Sequence, residues 1–200
     1  TSAQTVTLAA VGSMAKAGFT FSKWTIDSTD YNAGASYTPS TAVAYNAGTF
    51  GKTATAKWTG NGYSVEFYQG STKLKTQTGF VYGTNKALDA YSGTVPSPGG
   101  WAFAGWSTTA SGTTVNYANQ AQVSTLAQSG TAKLYAVFKR SITFKSGANA
   151  QSTAGTAIEQ RYNPSATSYI TSVTSPSSLT AISNWTALGF RADTTAGNKL

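Results

Sequence analysis

Gly100-Trp101-Ala102-Phe103-Ala104-Gly105-Trp106 decides the fold of this chain, because the sequence states it more than once. Gly18-Phe19-Thr20-Phe21-Ser22-Lys23-Trp24 matches it upstream, and Trp185-Thr186-Ala187-Leu188-Gly189-Phe190 echoes it downstream. The closing aromatics stand 82 residues apart (106 − 24) and then 84 (190 − 106). That period is too long for one turn of a solenoid and suits a small domain, so the sequence predicts a tandem array. An array of similar units points to a spacer, adhesin or assembly protein ahead of an enzyme.

Working outward, the middle repeat can be followed from end to end. Tyr63-Ser64-Val65-Glu66-Phe67 alternates apolar and polar residues with period two, the pattern of a half-buried strand. Gly79-Phe80-Val81-Tyr82 predicts a second strand, stopped by Gly83. A loop through Pro96, Pro98, Gly99 and Gly100 then redirects the chain into a third strand, Trp101 to Trp106. Gly112 closes a turn, Val123 and Leu126 predict one short helical turn, and Leu134-Tyr135-Ala136-Val137-Phe138 predicts the last strand. The first repeat offers Thr5 to Leu8, Phe19 to Trp24 and a closing strand from Thr53 to Trp58. The third reopens with Ile142-Thr143-Phe144. Boundaries near Gly60 and Lys139-Arg140 divide the chain into a partial unit (1–60), a complete unit (61–139) and a second partial unit (140–200). Junctions of a few residues hold neighbours close, which predicts a stiff, elongated arrangement.

Composition narrows the function. With 40% apolar residues, much of it alanine, each small core depends on a few recurring rings, each worth roughly 1.5–3 kcal/mol when buried. Cysteine is absent, which removes disulfides and thiolate chemistry. A Thr/Ser/Gly/Ala-rich chain with 10% charged residues fits an extracellular protein. No apolar run reaches the roughly 18 residues that cross a bilayer. The chain opens at Thr1 with no initiator Met, so any signal or anchor is expected outside it. A net charge of +8 biases the surface toward anions, yet the lysines are dispersed rather than gathered into the aromatic-laced patch of a nucleic-acid binder. The densest group, at the second junction, comprises Lys139, Arg140 and Lys145, with Lys133 nearby; these three are the candidate anion-contacting residues.

These residues together resemble the Listeria–Bacteroides repeat family, the internalin B-type repeats of bacterial surface proteins. Val65-Glu66-Phe67, the Gly100 to Trp106 stretch, Gly112 and Leu134 to Phe138 fit that family's V-x-F opening strand, glycine-aromatic strand, glycine turn and closing strand, in order. The match covers residues 63–138, with Phe138 in place of the usual final Trp that Trp58 keeps. Lys23 replaces the Gly before Trp24, and Phe190 replaces the Trp of the third repeat. The resemblance implies a mainly β protein of tandem, small β-grasp-like units and a place in surface-exposed, often adhesive, proteins.

Other chemistry finds little to work with. The chain has no His, and none of its six carboxylates recurs at matched repeat positions, so a hydrolase lacks its acid and base. Asp193-Thr194-Thr195 has no partner triplet. Asp27-Ser28-Thr29-Asp30 supplies too few hard oxygens for calcium and is expected to be a turn. Glu66, which could assist a stiffening isopeptide bond, is matched by Thr143 in the next repeat, and the Thr-x-Thr pairs do not recur in the register of an ice-binding ladder. Trp24, Trp106 and Phe190 are expected in the core rather than as sugar-stacking platforms; Tyr117 and Tyr135 are better candidates for partly exposed contacts.

The resulting expectation is a non-enzymatic stalk or adhesin segment of a bacterial cell-surface protein, extracellular, with no cofactor, metal, nucleic acid or membrane insertion of its own. Its partners would be neighbouring repeats, anionic surface glycans or a host surface. An alternative expectation is a subunit of an extracellular fibre: the first repeat is short of opening strands and the third lacks a closing strand, so molecules would associate head to tail by strand complementation.

Overall fold

A computed structural model describes residues 5–39, 52–97, 100–142 and 158–164. Twelve strands and no helix lie among them. The fold is mainly β, with open sheets.

Two compact units divide the chain, one from Thr1–Val65, Gln77–Leu88 and Gln122–Ala132, the other from Glu66–Thr76, Asp89–Ala121 and Lys133–Leu200. In the first, β2 (Phe19–Ile26) is flanked by β3 (Thr29–Tyr31) and β5 (Thr55–Gly60), while β1 (Val6–Thr7) pairs with β4 (Ser36–Tyr37). The β2–β3 connection is two residues long, Asp27 and Ser28, with φ of 47° and 65°; both central residues of such a hairpin turn must be left-handed. The turn expected over Asp27 to Asp30 is confined to Asp27 and Ser28, and Thr29 and Asp30 already belong to β3. The same unit holds the short pair β8 (Lys86–Ala87) and β10 (Gln122–Val123).

The largest sheet has the order β12 (Ile158–Tyr162), β11 (Gly130–Ile142), β6 (Gly62–Gln69), β7 (Thr72–Val81), with β9 (Ala102–Ser107) on the other edge of β11. Ser64 meets Thr131 and Tyr68 stacks on Tyr135, so partners advance together and β6 runs parallel to β11. Alternation explains the strands. Tyr63, Val65 and Phe67 are buried while their neighbours within β6 are not; on β11 Leu134, Ala136 and Phe138 are buried too, but so is Val137, at the register shift.

The strands expected at Tyr63–Phe67, Gly79–Tyr82, Trp101–Trp106 and Leu134–Phe138 are β6, the end of β7, β9 and the centre of β11. One expectation is corrected: Val123 belongs to β10, paired with Lys86, and not to a helical turn. An apolar spacing of three fits a helix only if nothing competes, and here a cross-strand partner does. A second correction is one of length. The strand expected from Thr53 begins at Thr55. Thr143 and Phe144 lie outside the described residues; Ile142 is the last residue of β11, which runs unbroken through Lys139 and Arg140.

Candidate functional site

The arrangement that recurs is a strand pair carrying a ring cluster. In the first unit Phe21 pairs with Trp58, Lys23 with Lys57 and Trp24 with Ala56. In the second Phe103 pairs with Phe138, Gly105 with Val137 and Trp106 with Ala136. Each β2 position maps onto β9 by adding 82, and each β5 position onto β11 by adding 80. Even the irregularity is shared: the register shift leaves Ser22 unmatched in one pair and Ala104 in the other. A bulge re-aims the residues beside it, here turning the following Trp into the cluster. The Trp24 position then pairs with Tyr31, and the Trp106 position with Tyr117.

The rings follow the backbone. Phe21 lies 5.1 Å from Trp24 and 5.9 Å from Trp58; Phe103 lies 4.9 Å from Trp106 and 6.1 Å from Phe138. The clusters differ in cover. Trp106 is 1% exposed, with Phe67 of β6 at 4.8 Å and Tyr91 at 5.9 Å, whereas Trp24 and Trp58 are half-buried. Trp24 donates its indole N–H to the Ala9 carbonyl at 2.8 Å, while the buried Trp106 N–H meets no acceptor among the described residues. That orphaned donor costs about 1–3 kcal/mol. Burying so large a ring contributes roughly 1.5–3 kcal/mol or more, which offsets that cost.

A second feature recurs where consecutive sequence repeats meet. Phe19 packs edge-on against Tyr82 at 5.5 Å, and Trp101, its counterpart, packs against Tyr162 at 5.5 Å. Tyr82 and Tyr162 are themselves 80 residues apart. A cation covers each first ring: Lys16 lies 4.2 Å from the Phe19 centroid, and the Arg140 guanidinium 4.6 Å from the Trp101 ring. Gly18 has φ +79° and a Cβ there would enter the Tyr82 ring, so the glycine opening the motif serves both backbone and contact. Neither tyrosine was singled out in the sequence. Their spacing was the available signal, hidden because their neighbours, Gly83 and Asn163, differ.

The basic residues are less of a group than their spacing suggests. Lys139 and Arg140 are consecutive on β11 and so project to opposite faces of the sheet. Lys139 lies 3.4 Å from Glu159, and Arg140 donates to the Gln160 side chain at 2.6 Å beneath its Trp101 contact. Lys145 and Phe190 lie outside the described residues. Tyr135 is half-buried on Tyr68 at 5.4 Å, and Tyr117 is half-buried beside Trp106.

Each of the five described carboxylates has a basic partner: Asp27 with Lys52, Asp30 with Lys57, Glu66 with Lys73, Asp89 with Lys75 and Glu159 with Lys139 and Arg161. Hydrogen bonds from Lys57 and Thr25 hold Asp30 below the usual carboxylate range; Tyr68 and Lys73 do the same for Glu66, and Arg161 for Glu159. Accepting from Tyr68 in turn, Glu66 raises the phenol. A carboxyl held below its ordinary value is a poor general acid and a weak base at neutral pH. Among the described residues no group of three or more His, Cys, Asp or Glu could hold a metal, and no helix is long and apolar enough to cross a membrane. Compared with known proteins, the chain matches no family model, no curated protein and no solved structure.

Proposed function

We propose that this chain is a non-enzymatic, tandem-repeat stalk segment of a bacterial cell-surface protein, built from small β-grasp-like units of about eighty residues. The observation that carries this reading is the pair of matched contacts, Phe19 on Tyr82 and Trp101 on Tyr162, each reaching from one sequence repeat into the next at the same 5.5 Å. A ring contact repeated from one repeat to the next is what a stalk of repeats 1–60, 61–139 and 140–200 would need at its junctions, and in this reading the stalk holds another domain away from the cell. The parallel placement of β6 beside β11, ends of one repeat brought together across its middle, supports the β-grasp reading. The engagement of Lys139 with Glu159 and of Arg140 with Gln160 favours a structural over an adhesive role for the junction.

Small-angle scattering tests the stalk. A compact 200-residue domain has a radius of gyration of about 16 Å. The stalk predicts a value well above about 20 Å with the distance distribution of a rod; the compact value would sink it. Adhesion through the junction is tested separately by Lys139→Glu and Arg140→Glu. Unchanged retention on an anionic-glycan column is the expected outcome, and a large salt-dependent loss would instead make the junction an adhesive surface.

A further inference from the structure

Tyr68 of β6 and Tyr135 of β11 lie in the same compact unit, and their rings stack at 5.4 Å with 27° between the planes. Neighbouring side chains on one face of a parallel strand pair leave the sheet in the same direction, so the hydroxyl ends of the two rings come level. The ring carbons beside those hydroxyls then face one another. A second tyrosine pair, Tyr31 and Tyr37, meets edge to face with 80° between the planes, and one ring points at the centre of the other. Tyr68 and Tyr135 are both half-buried and so open to solvent on one side.

The surroundings of Tyr68 suit a phenol that loses an electron. Its hydroxyl donates to Glu66 Oε2 at 2.8 Å, and Lys73 holds the other carboxylate oxygen at 3.1 Å. An oxidised phenol is a strong acid, so a carboxylate in hydrogen-bond contact takes its proton, even one held below its ordinary value. Lys133 stands 5.7 Å from the centre of the Tyr68 ring, and its charge disfavours a cationic ring that keeps the proton. Electron and proton therefore leave together. After Glu66 and burial, Tyr135 itself contributes to raising the Tyr68 phenol, which agrees with neighbouring hydroxyl ends.

We propose that Tyr68 and Tyr135 are a cross-linking site, at which a peroxide-driven one-electron oxidant joins the two rings as dityrosine and staples β6 to β11. Each phenol gives one electron to the oxidant and one proton, from Tyr68 to Glu66 and from Tyr135 to water. The two phenoxyl radicals pair their electrons in a new bond between a Cε carbon of each ring. The hydrogen on each of those carbons leaves as a proton and a proton returns to each oxygen, which restores both aromatic rings and both hydroxyls. Overall the protein loses two hydrogens and one hydrogen peroxide becomes two waters. A chain without cysteine has no disulfide for this purpose. The link closes a loop of 67 residues (135 − 68) at a parallel pairing, the less stable kind of ladder. It lies within the middle repeat and does not depend on the stalk reading.

The test treats the intact chain, dilute, with a haem peroxidase and hydrogen peroxide. Dityrosine fluorescence is expected, with a monomer mass lower by two hydrogens and a tryptic digest in which Trp58–Lys73 is joined to Leu134–Lys139. Tyr68→Phe and Tyr135→Phe keep a stacked ring, and each abolishes the joined peptide. Glu66→Gln keeps an acceptor for the hydroxyl but removes the base, and slows the joining about tenfold or more. The linked chain should melt roughly 5–15 °C above the unlinked one. Tyr63 shares a tryptic peptide with Tyr68, so joining that survives Tyr68→Phe overturns the site. Fluorescence without the joined peptide, joining as fast in urea as in the folded chain, or linkage only between chains as covalent dimers overturns it equally. A native rate in Glu66→Gln removes Glu66 as the proton acceptor, and an unchanged melting temperature removes the staple.

Discussion

Gly105 sits at φ +144°, a conformation nearly confined to glycine, and a Cβ there would press into Val115 and the Tyr117 carbonyl. Gly105→Ala is therefore expected to destabilise the chain by about 2–3 kcal/mol, measured by urea denaturation. Lys23 occupies the matching place on β2 without a positive φ, so Lys23→Gly should cost only about 0.5–1 kcal/mol. The Lys-for-Gly replacement that sets the first repeat apart in sequence thus reflects backbone geometry: Tyr117 crosses tightly behind Gly105, whereas Lys23 carries no positive φ. Phe67 is 1% exposed against Trp106, and Phe67→Ala should cost about 3–5 kcal/mol in the same assay. At this scale the sequence was informative about Trp106, because a recurring ring in an alternating strand has little reason to be elsewhere than the core. It was silent on Tyr82 and Tyr162, whose importance lies in what they touch across repeats.

Strands were legible where alternation was strong and less so where partners decide their extent. β6 and β9 fall within a residue or two of their expected limits. β7 begins at Thr72, well before the predicted Gly79, because Thr72 to Thr78 is polar and is made a strand by its neighbour in the sheet and not by its own pattern. β5 is shorter than expected for the converse reason: Thr53 and Ala54 have strand-like alternation but no strand partner among the described residues. Ion pairs tie these strands together: Glu66 to Lys73 and Glu159 to Lys139 join neighbouring strands, and Asp30 to Lys57 reaches from β3 to β5 across β2. All three carboxyls titrate below their ordinary values, so their stabilisation is fully present above the unfolded values of 3.8 and 4.5 and is lost as pH falls through the lowered folded values. Melting temperature should hold steady from neutral pH to about pH 5 and then decline toward about pH 2. Because the groups are exposed, added salt should flatten that decline, which melts followed by circular dichroism at low and high salt would show.

On the scale of the whole molecule, the sequence period and the compact units are not the same thing. The first compact unit takes in Gln77–Leu88 and Gln122–Ala132, stretches that belong by sequence to the second repeat. Pattern in a sequence marks where copies begin, whereas compactness marks which side chains meet, and Phe19 meets Tyr82. A double-mutant cycle of Phe19→Ala with Tyr82→Ala should give a coupling of about 0.5–1.5 kcal/mol, and Trp101→Ala with Tyr162→Ala a similar value. Coupling at one site and none at the other would deny that the two contacts are equivalent.

The tyrosine that leans back onto the preceding ring has a consequence for how such a chain can grow. A cut made at Gly60 would tidy the text of the gene and bare the Phe19 face; a cut made just after Gly83 would keep that face covered. Under the proposed repeat architecture, duplication of one eighty-residue segment would deliver both halves of the ring contact at once, so that such a molecule would lengthen by copying alone, without any novel surface having to arise.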